Sequence, residues 1–94
     1  METIEIKNIN GVVLFSHTAE NNSIKLTVEA AVSCGVSLAN ANLAGACLAG
    51  ADLEGADLEG ANLEDADLRG ANINGAYLYM AKLEGTNIEC TELK

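Results

Sequence analysis

The chain has 94 residues, 49% of them apolar but only three aromatic, and a formal net charge of −9. That length accommodates one domain whose core must be built from Leu, Ile, Val and Ala, and that charge excludes direct binding to nucleic acid or an anionic membrane, both of which reward clustered Lys and Arg. The three cysteines, Cys34, Cys47 and Cys90, lack CxxC or zinc-like spacing, and Met1–Glu5 opens no basic-then-apolar signal, so the expectation is a soluble cytoplasmic protein without disulfides.

Residues 1–35 carry no repeat. Ile4 and Ile6 alternate with polar neighbours, Asn8-Ile9-Asn10-Gly11 is turn-like, and Val12 to Phe15 is β-prone, which together predict a β-hairpin. Glu20-Asn21-Asn22-Ser23 then offers helix N-caps, and Ile24, Val28, Ala31 and Val32 share one helical face before Gly35. Ile24, Leu26 and Val28 also alternate, so a strand competes with the favoured helix over residues 23–34.

From Val36 the chain falls into fives: VSLAN, ANLAG, ACLAG, ADLEG, ADLEG, ANLED, ADLRG, ANING, AYLYM, AKLEG, TNIEC and the shortened TELK. The third place is Leu or Ile in all twelve units, and the first is Ala in nine, with Val36, Thr86 and Thr91 as the exceptions. A helix fails, because a five-residue step turns each Leu about 140° from the last and leaves no apolar face. Seven fifth-place glycines would add about 1 kcal/mol each to that failure. An extended path succeeds: side chains two apart share a face, so first-place Ala and third-place Leu point inward and the residue between them points out. The last two residues of each unit then turn a corner, where glycine tolerates the dihedrals required. Periodicity alone leaves the number of sides open.

The units ANLAG, ADLEG, ANLED and ADLRG resemble the consensus of the pentapeptide repeat family over Val36 to Lys94. The resemblance implies an all-β solenoid, a right-handed quadrilateral parallel β-helix with four units per coil, hence about three coils rising about 14 Å at ~4.8 Å per coil. Residues twenty apart would then stack, giving apolar ladders 38/58/78, 43/63/83, 48/68/88 and 53/73/93. Hairpin-then-helix leaders resemble those of small phage- and bacterium-type members, so residues 1–35 are expected to cap the first coil of the 36–94 helix, as one folding unit. Nothing remains after Leu93-Lys94 to cover the last coil, which suggests end-to-end self-association into a homodimer through the C-terminal coil.

No catalytic constellation emerges. A packed Leu/Ala interior offers no pocket, and His17, the one histidine, reads as a surface residue without a partner. Ser16, Ser23, Ser33 and Ser37 lack a nucleophile signature, and no phosphate loop or dinucleotide fingerprint occurs. No enzyme activity, cofactor, metal or small-molecule substrate is therefore expected.

Two surface features stand out. Asp52, Glu54, Asp57, Glu59, Glu64, Asp65 and Asp67 point outward from the middle coil against a single base, Arg69, on different sides of the square, which makes a solvated belt rather than a chelating cluster. Some members of the resembled family bind DNA gyrase or topoisomerase with an acidic rod that imitates duplex DNA, and this is the alternative function the resemblance implies. The chain departs from that pattern, since about 14 Å matches only about four base pairs at ~3.4 Å each. It also lacks the extended C-terminal dimerisation segment and projecting loops of those proteins. The second feature is Tyr77, Tyr79 and Met80, grouped on one side of the last coil. With Ile88 and Leu93 they form a candidate interface for a protein partner of unknown identity, the competing reading being that they pack along the side and stiffen the coil.

Overall fold

The computed structural model describes residues 1–89 and 91. Strand β1 (Glu2–Lys7) and strand β2 (Val13–Ala19) form an antiparallel hairpin, in register from Glu2 opposite Ala19 to Ile6 opposite Phe15, with an irregularity between Ile6 and Lys7. The turn is held by Asn8: its N–H donates to the Val12 carbonyl, and its side-chain oxygen accepts from the N–H groups of Asn10 and Val12. Alternation buries Ile6 and half-buries Ile4 on β1 and Phe15, His17 and Ala19 on β2, while Leu14, on the other face, is half-buried as well.

Helix α1 (Ile24–Ser33) occupies the segment where helix and strand compete in the sequence. Ser23 caps its start by accepting from the Leu26 N–H at 3.1 Å. At its end the Gly35 N–H reaches the Val32 carbonyl and the Val36 N–H reaches the Ala31 carbonyl, with Gly35 at φ +74°. This six-residue closure needs a left-handed residue, which glycine supplies without strain. Val28 and Ala31 are buried while Leu26 is exposed, so the helical period prevails over the two-residue alternation. Asn22 ties the two leader elements together. Its Nδ2 donates to the His17 carbonyl at 2.8 Å, and its Oδ1 accepts from the Ser23 N–H and the buried Thr27 hydroxyl.

From Val36 onward residues twenty apart pair in parallel: Asn42 with Asn62, Cys47 with Asp67, Asp52 with Asn72, Asp57 with Tyr77, Asn62 with Lys82 and Asp67 with Asn87. Four five-residue units thus separate stacked partners. Each corner closes with a hydrogen bond from the first-place N–H back to the third-place carbonyl, as from Ala61 to Leu58 at 3.0 Å, around a fifth-place residue at positive φ. The second-place Asp or Asn adds to this. The side-chain oxygens of Asn42, Asp52, Asp57, Asn62, Asp67, Asn72 and Asn87 each accept from the N–H two residues on. The polar letter in the repeat is therefore a turn-former, not merely an outward-facing residue.

The axis is filled by Leu38, Leu43, Leu48, Leu53, Leu58, Leu63, Leu68 and Ile73 with the small first-place alanines, and Ile6, Val28 and Ala31 of the leader join the same cluster. In the last coil Thr86 and Thr91 replace Ala without orphaning a hydroxyl, because each donates to a carbonyl of the coil beneath, Leu63 at 2.6 Å and Leu68 at 2.8 Å.

The leader also meets the backbone of the first coil. Asn8 pairs antiparallel with Ala41, the Asn42 N–H donates to the Lys7 carbonyl, and the Ile9 N–H donates to the Asn40 carbonyl. Glu29, on α1, accepts from the Asp52 N–H at 2.9 Å. In later coils the equivalent second-place N–H groups donate to the coil beneath, as Asn62 does to Ala41. Lys7 and Glu29 thus supply to Asn42 and Asp52 what a preceding coil would have supplied.

Candidate functional site

The acidic belt is dispersed by the twenty-residue register. Asp52 and Glu54, Asp57 and Glu59, Glu64 and Asp65, and Asp67 occupy four successive sides. The Arg69 guanidinium is engaged within the belt, bonding Asp67 at 2.8–3.2 Å. That side-chain bond first, and the Arg69 backbone N–H second, hold the Asp67 carboxyl below its usual range, while Asp67 raises Arg69 in turn. Among the described residues no group of three or more His, Cys, Asp or Glu is disposed to hold a metal ion.

An open cleft of about 620 Å³ lies where α1 crosses the first coil, lined by Glu29, Val32, Ser33, Asp52 and Glu54. Its polar groups are three carboxylates and the Ser33 hydroxyl, and the Glu29 carboxylate is engaged with the Asp52 backbone. His17 is not the plain surface residue expected. It is half-buried on β2, its ring stacked on Phe15 at 6.4 Å between centroids and 13° between planes. Cys34 and Cys47 are free thiols on the surface. No helix among the described residues is long and apolar enough to cross a membrane.

The C-terminal coil is where the repeat lapses, and the structure brings the lapses together. Tyr77, Tyr79 and Met80 are all exposed on one side. Leu83 is 42% exposed and Ile88 61%, although they stack on Leu63 and Leu68, which are 0% and 1% exposed. Ile88 belongs to the expected interface; Leu83, an inward third-place residue like Ile88, is not among the expected interface residues. Its position as third member of the 43/63/83 ladder is the signal that marks it. Leu93, the remaining member of the expected interface, lies outside the described residues.

Local rules are broken at the same place. Tyr77 and Lys82, like Cys47 in the first coil, stand where most units hold the Asp or Asn that closes the turn, each forgoing a hydrogen bond of about 0.5–1.5 kcal/mol. Met80 takes the fifth-place conformation at φ +64°, which costs a residue with a Cβ roughly 1–2 kcal/mol. Among the described residues the other left-handed non-glycine positions are Asn21, Asn40 and Asp65, whose short polar side chains suit that region. Met80→Gly is therefore expected to stabilise the chain by about 0.5–1 kcal/mol, the relief of strain being partly offset by the freer unfolded chain. Chemical denaturation would detect this as a higher midpoint with unchanged slope. A lower midpoint would mean that the exposed thioether packs usefully on the coil.

The chain matches the family profile described as Pentapeptide repeats, in 8 copies over residues 31–55 and 51–89. No curated protein matches it. Among solved structures it is similar to a pentapeptide repeat protein from the cyanobacterium Cyanothece 51142, with 43% identity over 56% of this chain and a TM-score of 0.34. This chain spans 40% of that protein's length. It is also similar to a pentapeptide repeat protein from Nostoc Pcc 7120, with 26% identity, a TM-score of 0.38, and coverage of 72% of this chain and 93% of that one.

Proposed function

The chain belongs to the pentapeptide repeat family, and from that premise we propose that it is a non-enzymatic, cytoplasmic protein-interaction module that pairs with a second copy through its C-terminal coil. Family membership implies a right-handed β-helix; we take it to comprise about three coils, with the hairpin and α1 as the cap of the first. The observation that carries the pairing is the exposure of Leu83 and Ile88 directly above fully buried members of their ladders. Apolar side chains at core positions gain when covered, and a surface that matches itself closes as a two-fold dimer. The opposite end is engaged by Lys7, Ile9 and Glu29, which leaves the like face of another copy as the fitting partner. Met80, Tyr77 and Tyr79 form the rim.

Solution mass across a concentration series tests this. The expected result is a monomer–dimer equilibrium, tightening as added salt screens the −9 charge of each copy. Leu83→Ser with Ile88→Ser should shift it to monomer, with little effect on folding because both residues are already exposed. A mass that stays monomeric at millimolar protein, or a dimer indifferent to both substitutions, would remove the proposal.

A further inference from the structure

We propose that the side of the square bearing Asp57, Glu59, Tyr77 and Tyr79 binds an arginine-bearing segment of another protein. This goes beyond pairing of like ends: it concerns a lateral face, a different partner and a different chemistry.

Three tiers run along this side. Ser37 and Ala39 lie lowest, Asp57 and Glu59 above them, and Tyr77 and Tyr79 above those. Asp57 pairs in parallel with Tyr77, and the Leu58 and Gly60 N–H groups donate to the Tyr77 and Tyr79 carbonyls at 2.9 Å, which fixes the register. The backbone positions of two tyrosines therefore lie one coil spacing, about 4.8 Å, from those of two carboxylates. A planar cation that stacks on a tyrosine ring while bonding a carboxylate meets this spacing, and guanidinium is the side-chain group that does both.

The carboxylates are held and have capacity to spare. Ser37 Oγ donates to Asp57 Oδ2 at 2.8 Å and the Glu59 N–H to Asp57 Oδ1 at 3.2 Å, leaving a lone pair on each oxygen. Neither Asp57 nor Glu59 forms an ion pair among the described residues, where the pairs are Lys7 with Glu5 and Arg69 with Asp67. The aromatic tier is also where the chain gives up turn-forming and conformational preferences, at Tyr77 and Met80. Violations of local rules without a packing return mark surfaces selected for contact rather than stability.

A second copy cannot fill the role. Arg69 is the only arginine in the sequence and it is bound to its own Asp67. The complementary occupant is a basic segment of a different protein.

The sequence supplies its own reporter, since Tyr77 and Tyr79 are the only tyrosines and tryptophan is absent. Tyrosine emission of the full chain would be followed during titration with acetylated, amidated tetra-arginine, and separately with tetra-lysine, at low salt. Tetra-arginine should produce a saturable change at lower concentration than tetra-lysine. Asp57→Asn with Glu59→Gln should weaken it about tenfold; Asp57→Asn preserves the side-chain oxygen that closes the turn. Asp52→Asn with Glu54→Gln removes the same charge from the neighbouring side and should weaken it by less than about threefold. Circular dichroism would verify that both double variants fold. The proposal fails if tyrosine emission is indifferent to tetra-arginine at millimolar concentration. It fails equally if the two double variants weaken binding alike, or if tetra-lysine matches tetra-arginine, because general attraction to an acidic protein would then account for the response.

Discussion

Leu63→Asp is expected to leave the chain unfolded, whereas Leu83→Asp, twenty residues on in the same ladder, should leave it folded. Leu63 is fully buried in the middle of the axis and Leu83 is 42% exposed. At position 63 the substitution removes a core leucine, worth about 2–5 kcal/mol. It also places there a carboxyl that must stay unpaired or take up a proton, at a further cost of several kcal/mol. Domains of this size have about 5–15 kcal/mol in total. Because each coil rests on its neighbours, loss of the middle one removes the support of both sides. Far-ultraviolet circular dichroism and urea titration of the two variants make the comparison. Similar stabilities would show that the Leu63 side chain does not point to the axis.

Gly60→Ala should cost about 1–2 kcal/mol, exceeding Gly55→Ala by only about a few tenths, as both glycines lie at φ of about +70°. A Cβ on Gly55 would meet nothing within 4 Å, so that variant bears the conformational cost alone, about 1–2 kcal/mol. A Cβ on Gly60 would fall on the Oδ1 of Asn40, which reaches up from the coil beneath. That oxygen is the far end of an exposed side chain, so the Asn40 amide turns aside at a cost of about a few tenths of a kcal/mol. Adding Asn40→Gly should remove the excess and bring Gly60→Ala level with Gly55→Ala. A double-mutant cycle by denaturation isolates the coupling. Independence of the two substitutions would place the Asn40 side chain elsewhere.

The Gly60 contact illustrates what the sequence could and could not carry. The five-residue spacing of Leu38 through Ile73 and the intervening alanines made the inward columns plain, because a two-residue side-chain period leaves those letters no other face. The number of units in a coil was not readable from spacing, since three-, four- and five-sided rings satisfy the same period. It came from family likeness and is expressed in pairs such as Asn42 with Asn62. Asp and Asn at the second place were visible as letters but not as turn-closing acceptors, because an outward residue on a strand needs no such role. Glu29 was unreadable for a different reason: its bond to the Asp52 N–H joins residues 23 positions apart, and no local pattern announces it. In the leader, Ser23 and Gly35 were better guides than the alternation of Ile24, Leu26 and Val28, since caps act locally whereas alternation is shared by two structures.

For the candidate site, the aromatic lapse at Tyr77, Tyr79 and Met80 was legible as a departure from the repeat. Its setting was not. The exposure of Leu83 depends on what lies above it, and the carboxylate tier under the tyrosines emerges only when residues 57 and 59 are stacked beneath 77 and 79.

The central claim, that copies of the chain pair where the repeat lapses and not through the acidic belt, is tested most directly by amide ¹H–¹⁵N spectra recorded from micromolar to millimolar protein. Concentration-dependent shifts and broadening confined to residues 77–88 are the predicted result. Changes centred on the leader or on Asp52–Asp67, or spectra that do not change with concentration, would contradict it.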